Sequence, residues 1–448
     1  MIKTVLIANR GEIALRVART CQELGLRSVA VYSTADEDSA VVRFADHAVR
    51  IGAGPARSSY LRIPAIIEAA RMSGADAIHP GYGFLSENPD FAEVCAAEGF
   101  TFIGCPADVM ATLGDKARAR AIMLDAGLPL LPGSRDPIAD PGAAEVLAAE
   151  IGYPVIIKAV AGGGGRGMVV VRDPAEFARS FARTRATAQA VFGDGRLYLE
   201  RYLESARHVE IQILADTHGS VIHLGARDCS LQRRHQKLVE ESPAPEVPAD
   251  LLAEMGAAAV RGATAAGYVG AGTFEFLLDP AENRFYFMEV NCRLQVEHPV
   301  TEMVTGFDLV REQLRIAAGE PLGYGQSDID ARGVSIECRI NAEDPARDFA
   351  PTPGVLTEFE PPGGPFVRVD TYVRSGYRVP SLYDSLLAKV IVWAPDRETA
   401  IARMRRALAE LRVEGPAVTT TAAFLADLLD HPRFRAATHD TALIGTIG

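Results

Sequence analysis

The sequence predicts an α/β protein that begins with a doubly wound parallel sheet. Residues 1–114 alternate short β-branched runs with amphipathic stretches of helical period, as strands and crossover helices of such a sheet do. The first crossover reads Asn9-Arg10-Gly11-Glu12, where a dinucleotide-binding fold would carry G-x-G-x-x-G, so a nicotinamide dehydrogenase is disfavoured. Strands are expected at 4–8, 27–32 and 75–79, and helices at 13–24, 63–72 and 91–98.

Composition narrows the class of protein. A chain of 448 residues, 48% hydrophobic, exceeds what one core usually serves and predicts two to four domains. The net charge of −12 disfavours binding to nucleic acid or to an anionic membrane surface. Neither a long apolar run nor a signal-peptide pattern occurs, and the six cysteines lack C-x-x-C spacing. We therefore expect a cytoplasmic protein with reduced thiols, without a membrane span, a disulfide framework or a zinc site.

Two compositional breaks divide the rest of the chain. Residues 129–142 are rich in Pro, Gly and Asp, and a second break lies at 320–332. Between them an apolar strand at 153–159, a glycine loop and a strand at 168–171 predict a flexible hairpin. The C-terminal part is expected to form an α+β unit with strands at 334–340 and 388–393 and an amphipathic helix at 397–411.

The glycine loop is the first candidate for chemistry. Residues 162–167 contain five glycines, so successive N–H groups can approach an anion closely. Lys158 before the loop and Arg166 inside it add charges that suit phosphate. A flexible linker is the alternative, and the Walker A pattern is absent. The flanking strands favour a loop that covers phosphate.

A pair of strands forms the second candidate. Residues 272–277 and 285–291 predict a hairpin, and alternation puts Glu289 and Asn291 on one face. If the hairpin turns symmetrically about Glu282, then Glu275 lies opposite Glu289, and facing like charges call for a cation. Two carboxylates and an amide oxygen suit Mg²⁺ or Mn²⁺. An exposed strand face with another register is the alternative.

The segment that follows this hairpin predicts an oxyanion pocket. Arg293, Gln295 and Glu297 occupy alternate positions and would project to one side of an extended segment. A guanidinium, an amide donor and a carboxylate base suit a small planar oxyanion that must lose a proton. A surface strand with mixed charges is the alternative.

A basic run at 233–237 stands directly before Glu240 and Glu241. It is either a solvated ion-pair network, the usual fate of charge runs, or an anion site. The pattern alone leaves both open.

Together these segments resemble the biotin carboxylase family of the ATP-grasp enzymes. The resemblance covers essentially the whole chain. It rests on the runs at 7–14, 79–88, 114–116, 207–210, 227–230, 232–237, 293–302, 337–345 and 383–385, and on the end of the glycine loop at 166–168.

The resemblance implies an architecture and a role for each matching residue. It implies an N-terminal α/β domain (1–114), an ATP-grasp domain (115–330) with a mobile glycine-rich lid at about 132–203, and a C-terminal α+β domain (331–448). ATP would be held by Lys116, Lys158, Gly164, Gly165, His208, Gln232 and His235, with Glu200, Arg201, Tyr202 and Leu203 lining the adenine. Two magnesium or manganese ions would bind Glu275, Glu289 and Asn291. Bicarbonate would bind Lys237, Arg293, Gln295 and Val296, and Glu297 would be the base. Biotin would meet Arg339 and Tyr82.

The implied reaction uses ATP and bicarbonate to carboxylate biotin through carboxyphosphate. The chain has no Met-Lys-Met segment of a biotinylated domain, so the biotin would sit on a separate carrier protein. Partners would be that carrier, a carboxyltransferase component and a second copy in a homodimer, within an acyl-CoA carboxylase, foremost acetyl-CoA carboxylase of fatty acid synthesis. The alternatives are another ATP-grasp ligase and a catalytically silent paralogue.

Three positions depart from the family pattern. Arg201 stands where a lysine is common, Ala226 replaces a frequent glutamate before Arg-Asp-Cys-Ser, and Cys292 replaces a frequent threonine. None of these departures removes a residue with an expected chemical role. They bear on the fine tuning of substrate recognition and not on the class of reaction.

Overall fold

The first part of the chain is a parallel sheet, as predicted. The computed structural model describes residues 2–134, 136–161, 167–234 and 236–447. In residues 2–114 five strands pair in parallel in the order β3-β2-β1-β4-β5. The strands are β1 (Thr4–Ile7), β2 (Arg27–Ser33), β3 (His47–Gly52), β4 (Ala77–His79) and β5 (Thr101–Phe102), and the helices are α1 (Gly11–Glu23), α2 (Ala40–Phe44), α3 (Ile63–Ser73), α4 (Pro89–Ala97) and α5 (Ala107–Gly114).

Both faces of this sheet are covered, which confirms the doubly wound arrangement. Val5 and Ile7 of the central strand pack in a core with α1, whereas Leu6 packs in a second core with α3 and α4. A strand buried on both faces reads as a continuous apolar run rather than an alternating one. The sequence of β1, Thr-Val-Leu-Ile, has that form.

The first crossover joins two loops at the carboxyl edge of the sheet. The Asn9 side chain donates to the backbone oxygens of Pro80 and Tyr82, both at 2.7 Å. The Arg10 guanidinium is buried against Asp36, with Nε–Oδ2 and Nη2–Oδ1 distances of 2.7 and 2.8 Å. The crossover therefore fixes the loop that carries Tyr82 instead of cradling a pyrophosphate.

The middle of the chain forms a small layered unit with its own core. Its three strands pair antiparallel in the order β7-β6-β8, and the pairing of Val155–Val171 through Lys158–Met168 confirms the predicted hairpin. Residues 162–166 of the glycine loop lie outside the described residues, so the phosphate-covering role stays a prediction. The elements of this unit are α7 (Pro141–Ile151), β6 (Val155–Ala159), β7 (Met168–Val171), α8 (Phe177–Phe192) and β8 (Leu197–Arg201). Helix α6 (Lys116–Asp125) precedes the unit and packs in a different core through Ala119 and Met123.

An eight-stranded antiparallel sheet forms the centre of the molecule, in the order β13-β12-β9-β10-β11-β14-β21-β19. Its elements and those around it are β9 (Arg207–Ala215), β10 (Val221–Arg233), β11 (Gln236–Ser242), α9 (Ala249–Ala265), β12 (Gly270–Asp279), β13 (Arg284–Asn291), α10 (His298–Thr305), α11 (Leu309–Ala317) and β14 (Val334–Asn341). The remaining elements are β15 (Glu343–Asp344), β16 (Ala350–Pro351), β17 (Gly354–Val355), β18 (Glu358–Glu360), β19 (Val367–Thr371), β20 (Arg378–Val379), β21 (Leu386–Ala394), α12 (Arg397–Glu410), β22 (Arg412–Glu414), α13 (Ala422–Asp430), α14 (Pro432–Arg435) and α15 (Leu443–Thr446).

This sheet continues across the position expected to separate the second and third domains. Strand β11 pairs with β14 from Val239–Cys338 to Ser242–Ser335, so the two parts share backbone hydrogen bonds. Helix α9 packs on the β9–β10 half, and α12 on the β14–β21 half. Within the described residues, no helix combines the length and apolarity needed to cross a membrane.

Candidate active site

The sheets and the small layered unit enclose one large cleft of about 1080 Å³. Every expected site residue that the structure describes lines this cleft. Gly164, Gly165 and His235 lie outside the described residues. The lining residues are Tyr82, Lys116, Lys158, Glu200, Arg201, Tyr202, Leu203, His208, Gln232, Lys237, Glu275, Glu289, Asn291, Arg293, Gln295, Val296, Glu297 and Arg339.

The hairpin β12–β13 places Glu275 opposite Glu289, as predicted, but the strand register differs from the one assumed. The outer part of the hairpin pairs in the register Phe276–Phe287, and the inner part in the register Glu275–Glu289, so Met288 is an extra residue in β13. Such a bulge rotates the following side chains to the other face. Phe287 therefore packs in the core while Glu289 faces the cleft.

The facing carboxylates fit a hard divalent cation. Partial dehydration and the nearby Glu275 carboxylate raise the pKa of Glu289, although its side chain is accessible from the cleft. Burial opposes ionisation of Glu275, but Lys237 and His208 outweigh it and lower the pKa of Glu275. The Asn291 amide donates to Glu275 at 2.8 Å. These oxygens are a donor set that Mg²⁺ or Mn²⁺ accepts.

A buried lysine lies at the centre of three carboxylates. Lys237 Nζ is 2.5 Å from Glu210, 2.6 Å from Glu297 and 3.1 Å from Glu275. Burial opposes its charge, yet these carboxylates hold the pKa of Lys237 well above its usual value. The ammonium therefore remains charged at neutral pH and supplies a fixed positive site on the cleft floor.

Glu297 is held between two cations. It accepts from Lys237 through Oε1 and from Arg339 Nη2 through Oε2, the latter at 2.8 Å. Burial would raise its pKa, but Lys237 and Arg339 dominate and hold the pKa of Glu297 well below its usual range. The carboxylate is therefore ionised and able to accept a proton.

Glu240, a residue without an expected role, fixes the other side of Arg339. Its Oε1 accepts from Arg339 Nε at 2.6 Å. An extra residue in β11 at Leu238, opposite the Leu231–Gln232 step of β10, allows Lys237 and Glu240 to approach Glu297 from one side of the strand. The predicted basic run thus divides: Lys237 turns inward, whereas Arg233 and Arg234 pair with Asp348 near the surface.

The predicted oxyanion segment converges on the same point without being a strand. Arg293 donates to Gln295 Oε1 at 2.9 Å, and Gln295 donates to Glu275 at 3.2 Å. Arg293 is oriented from behind by Glu87, with an Nε–Oε2 distance of 2.9 Å. The chain turns at Val296 and Glu297, and Glu297 is the N-cap of α10. Cations and amide donors thus border the cleft beside Glu297.

The opposite wall carries the residues expected to hold a nucleotide. Glu200 accepts hydrogen bonds from Lys158 and Arg120, and although burial opposes its charge these cations lower the pKa of Glu200. Burial lowers the pKa of Lys116 in the same wall. Arg201 exposes its side chain and donates its backbone N–H to Pro132, so the lysine-to-arginine departure alters no buried contact.

The cleft floor and the far rim hold the remaining expected residues. His208 Nε2 is 3.1 Å from Glu275, and although burial opposes protonation this carboxylate raises the pKa of His208. Gln232 Nε2 is 3.5 Å from His208 Nδ1. Tyr82 donates to Glu12, and burial together with that carboxylate raises the pKa of Tyr82.

Sequence reasoning gave no role to Glu87, Glu210 or Glu240. Glu87 and Glu210 lie inside the motifs at 79–88 and 207–210 that carry the family resemblance, which is the signal that could have drawn attention to them. The other two departures are buried: Ala226 and Cys292 pack in the core beneath the hairpin, and the Cys292 N–H donates to Glu87 at 3.0 Å.

Glu240 should titrate near neutral pH. Burial raises its pKa to about 7 against the opposing effect of Arg339, and Glu337 lies directly across the ladder. Because the pKa in an unfolded chain is about 4.3, stability from this group is present below that value and lost as pH rises through 7. A Glu240→Gln variant cannot ionise at this position and therefore does not lose stability in this way. We expect the free energy of unfolding, measured with urea between pH 5 and 8, to increase in the variant relative to the wild type as pH rises. If the two proteins show the same pH dependence, the raised pKa of Glu240 is contradicted.

Comparisons with known proteins agree along the whole chain. Three family models match: "Biotin carboxylase, N-terminal domain" at residues 1–110, "Carbamoyl-phosphate synthase L chain, ATP binding domain" at 115–324 and "Biotin carboxylase C-terminal domain" at 337–446. Biotin carboxylase 1 of Bacillus subtilis is 51% identical over 446 residues, covering 100% of this chain and 99% of that protein. A pyruvate carboxylase subunit from Methanothermobacter thermautotrophicus is 51% identical over 435 residues, covering 97% of this chain and 88% of that protein.

A solved structure has the same fold. The biotin carboxylase domain of Hydrogenobacter thermophilus 2-oxoglutarate carboxylase, a dimer in complex with MgADP, ADP and bicarbonate, superimposes with a TM-score of 0.95 at 47% identity. The match covers 100% of this chain and 98% of that one.

Proposed function

The chain belongs to the biotin carboxylase family and is an ATP-dependent carboxylating ligase, and from this premise we propose how its residues perform the reaction. The observation that carries the proposal is the convergence of Lys237, Arg339 and Glu297 beside Arg293 in one cleft. Cations with an ionised carboxylate between them suit an oxyanion that must be bound and deprotonated. Bicarbonate has that chemistry.

ATP binds across the cleft from this cluster. Lys116, Lys158 and His208, together with the glycine loop, hold the phosphates, and residues 200–203 line the adenine. Glu275, Glu289 and Asn291 would hold two magnesium or manganese ions, which would neutralise phosphate charge when bound. The facing pair Glu275–Glu289 supports this assignment because a cation relieves its repulsion.

Bicarbonate binds to Lys237, Arg293, Gln295 and the backbone of Val296. Glu297 accepts the proton of bicarbonate, whose oxygen then attacks the γ-phosphoryl group of ATP to give carboxyphosphate and ADP. Lys237 stabilises the charge that develops during this transfer. Glu297 is a weak base, but the cations that lower its pKa also favour the deprotonated form of bicarbonate, so a strong base is not required.

Biotin enters from the side of Tyr82 and Arg339. Carboxyphosphate breaks down to carbon dioxide and phosphate, the phosphate removes the ureido proton, and Arg339 stabilises the resulting oxyanion before carboxylation to N-carboxybiotin. Water would hydrolyse carboxyphosphate and waste ATP, so closure of the glycine lid protects it.

The biotin sits on a carrier protein, and a carboxyltransferase component passes the carboxyl group to its acceptor. We propose an acyl-CoA carboxylase, foremost acetyl-CoA carboxylase in cytoplasmic fatty acid synthesis, with this chain as a homodimer. The name of the Bacillus subtilis relative supports a separate carboxylase component. The pyruvate and 2-oxoglutarate carboxylases among the relatives offer other acceptors. We also propose domain boundaries at residues 114 and 330.

Bicarbonate-dependent ADP release, measured with and without free biotin, tests the proposal. We expect ADP release to require bicarbonate and Mg²⁺ or Mn²⁺, and to be stimulated by biotin. Another ATP-grasp ligase would need a different nucleophile, and a silent paralogue would bind ATP without releasing ADP. Lack of biotin stimulation would count against the assignment.

A further inference from the structure

A fully buried lysine lies beneath the turn that carries the base. Lys389 of β21 is 0% exposed. Its Nζ donates to the backbone oxygen of Val296 at 2.8 Å and lies 2.9 Å from Glu12 and 3.8 Å from Asp370. It contacts neither ATP nor bicarbonate in the proposed mechanism.

The acidic partners of Lys389 are sufficient to neutralise its charge, so the hydrogen bond to Val296 is an additional interaction. Burying an ammonium group is costly unless it is paired and hydrogen-bonded. Burial opposes ionisation of Lys389, but Glu12, Glu337 and Asp370 raise its pKa and keep it charged. Acidic partners are thus already present. The ammonium also donates a hydrogen bond to the backbone carbonyl of Val296, which belongs to the turn that carries Glu297.

The backbone hydrogen bonds within that turn are long. The Gln295 carbonyl accepts from the backbone N–H of His298 at 3.4 Å, and the Glu297 carbonyl from Val300 at 3.3 Å. The imidazole of His298 adds a contact with the Gln295 carbonyl at 2.7 Å. Because a peptide unit is planar and trans, fixing the Val296 carbonyl also fixes the direction of the Glu297 N–H.

We propose that Lys389 is a positioning residue that, through the Val296 carbonyl, holds Gln295 and Glu297 in place for bicarbonate. This inference rests on the proposed function. Glu12 connects the same ammonium to Tyr82, on the side where biotin enters. The residue therefore ties the N-terminal α1, the catalytic turn and the central sheet together at one atom.

A Lys389→Met/Glu12→Gln double variant tests the inference by removing the ammonium together with its nearest carboxylate. We expect the KM for bicarbonate to rise about ten- to a hundredfold, the range that loss of one hydrogen bond to a charged group allows. The KM for ATP should stay within about twofold, since the nucleotide wall is untouched. A cooperative thermal unfolding transition shows that the variant is folded, and kinetics are measured only on such a preparation.

Two single variants serve as matched controls. Glu12→Gln keeps the Lys389 donor on Val296, and Asp370→Asn removes a charge from the same buried group without touching the turn. Both should leave the KM for bicarbonate within about threefold of the wild type. An unchanged bicarbonate KM in the double variant, or an equal rise in Glu12→Gln alone, would overturn the positioning role. A wild type without bicarbonate-dependent ADP release would instead refute the proposed function.

Discussion

A Glu297→Gln variant is expected to bind ATP with nearly unchanged affinity and to lose about 10²- to 10⁴-fold in bicarbonate-dependent turnover, the usual contribution of a positioned base. Glutamine has the same size but cannot accept the proton. Lys237 keeps Glu210 and Glu275 as partners, and Arg339 keeps Glu240. The site should therefore remain assembled while the chemical step fails.

ATP affinity by calorimetry and turnover by ADP release separate these two effects. The control is Glu241→Gln, which removes another buried glutamate of the same sheet. Glu241 pairs with Arg397 at 2.8 and 2.9 Å and does not line the cleft. That variant should keep its turnover. Full activity in Glu297→Gln would exclude Glu297 as the base.

The fold class of the first 114 residues was predictable because local patterns determine it, although β3, β5, α2 and α5 were not among the predicted elements. Strands buried on both faces leave continuous apolar runs, as in β1, and the helices between them keep a helical period. The eight-stranded sheet was harder to predict. Its strands β11 and β14 are about ninety residues apart, and their pairing follows from packing that no local window contains.

The site could be predicted in composition but not in geometry. Simple alternation would place Phe287 and Glu289 on one face, yet the bulge at Met288 sends the phenyl ring to the core and the carboxylate to the cleft. A bulge depends on the partner strand as much as on its own residues. The prediction that Glu275 faces Glu289 was confirmed, whereas its assumed turn about Glu282 was wrong.

The acidic residues behind the site were missed for a related reason. Glu87 supports Arg293 across more than two hundred residues of chain, and Glu210 and Glu240 approach Lys237 and Arg339 only after the sheet has formed. Such supporting residues have no spacing rule. Only the family motifs that contain some of them give a signal in the sequence.

Replacing Lys237 with methionine should have the largest combined effect on stability and activity. The variant leaves Glu210, Glu275 and Glu297 buried without their shared cation. Breaking a buried ion pair by removing one partner typically costs about 3–5 kcal/mol in free energy of unfolding. Turnover should fall as well, because we propose that the same ammonium binds bicarbonate.

The pH dependence of this loss distinguishes charge repulsion from a packing defect. In the wild type, burial opposes the ionisation of Glu275 and Glu297, but nearby cations, Lys237 foremost, outweigh it and lower both pKa values. Their stabilisation is present above the unfolded value of about 4.3 and is lost as pH falls toward the lowered values. The difference in unfolding free energy between wild type and Lys237→Met should therefore be largest near pH 7 and shrink below about pH 4.

Urea unfolding at pH 7 and at about pH 3.5 measures this difference, and a Lys237→Met/Glu297→Gln double variant provides the matched control. Removing one of the three carboxylates that lost their shared cation should recover part of the lost stability at pH 7. It should recover none of the turnover, because the proposed base and the proposed bicarbonate-binding cation are both absent. An equal stability loss at both pH values would indicate a cavity rather than unpaired charge. Recovery of turnover in the double variant would contradict the assigned role of Lys237 in binding bicarbonate.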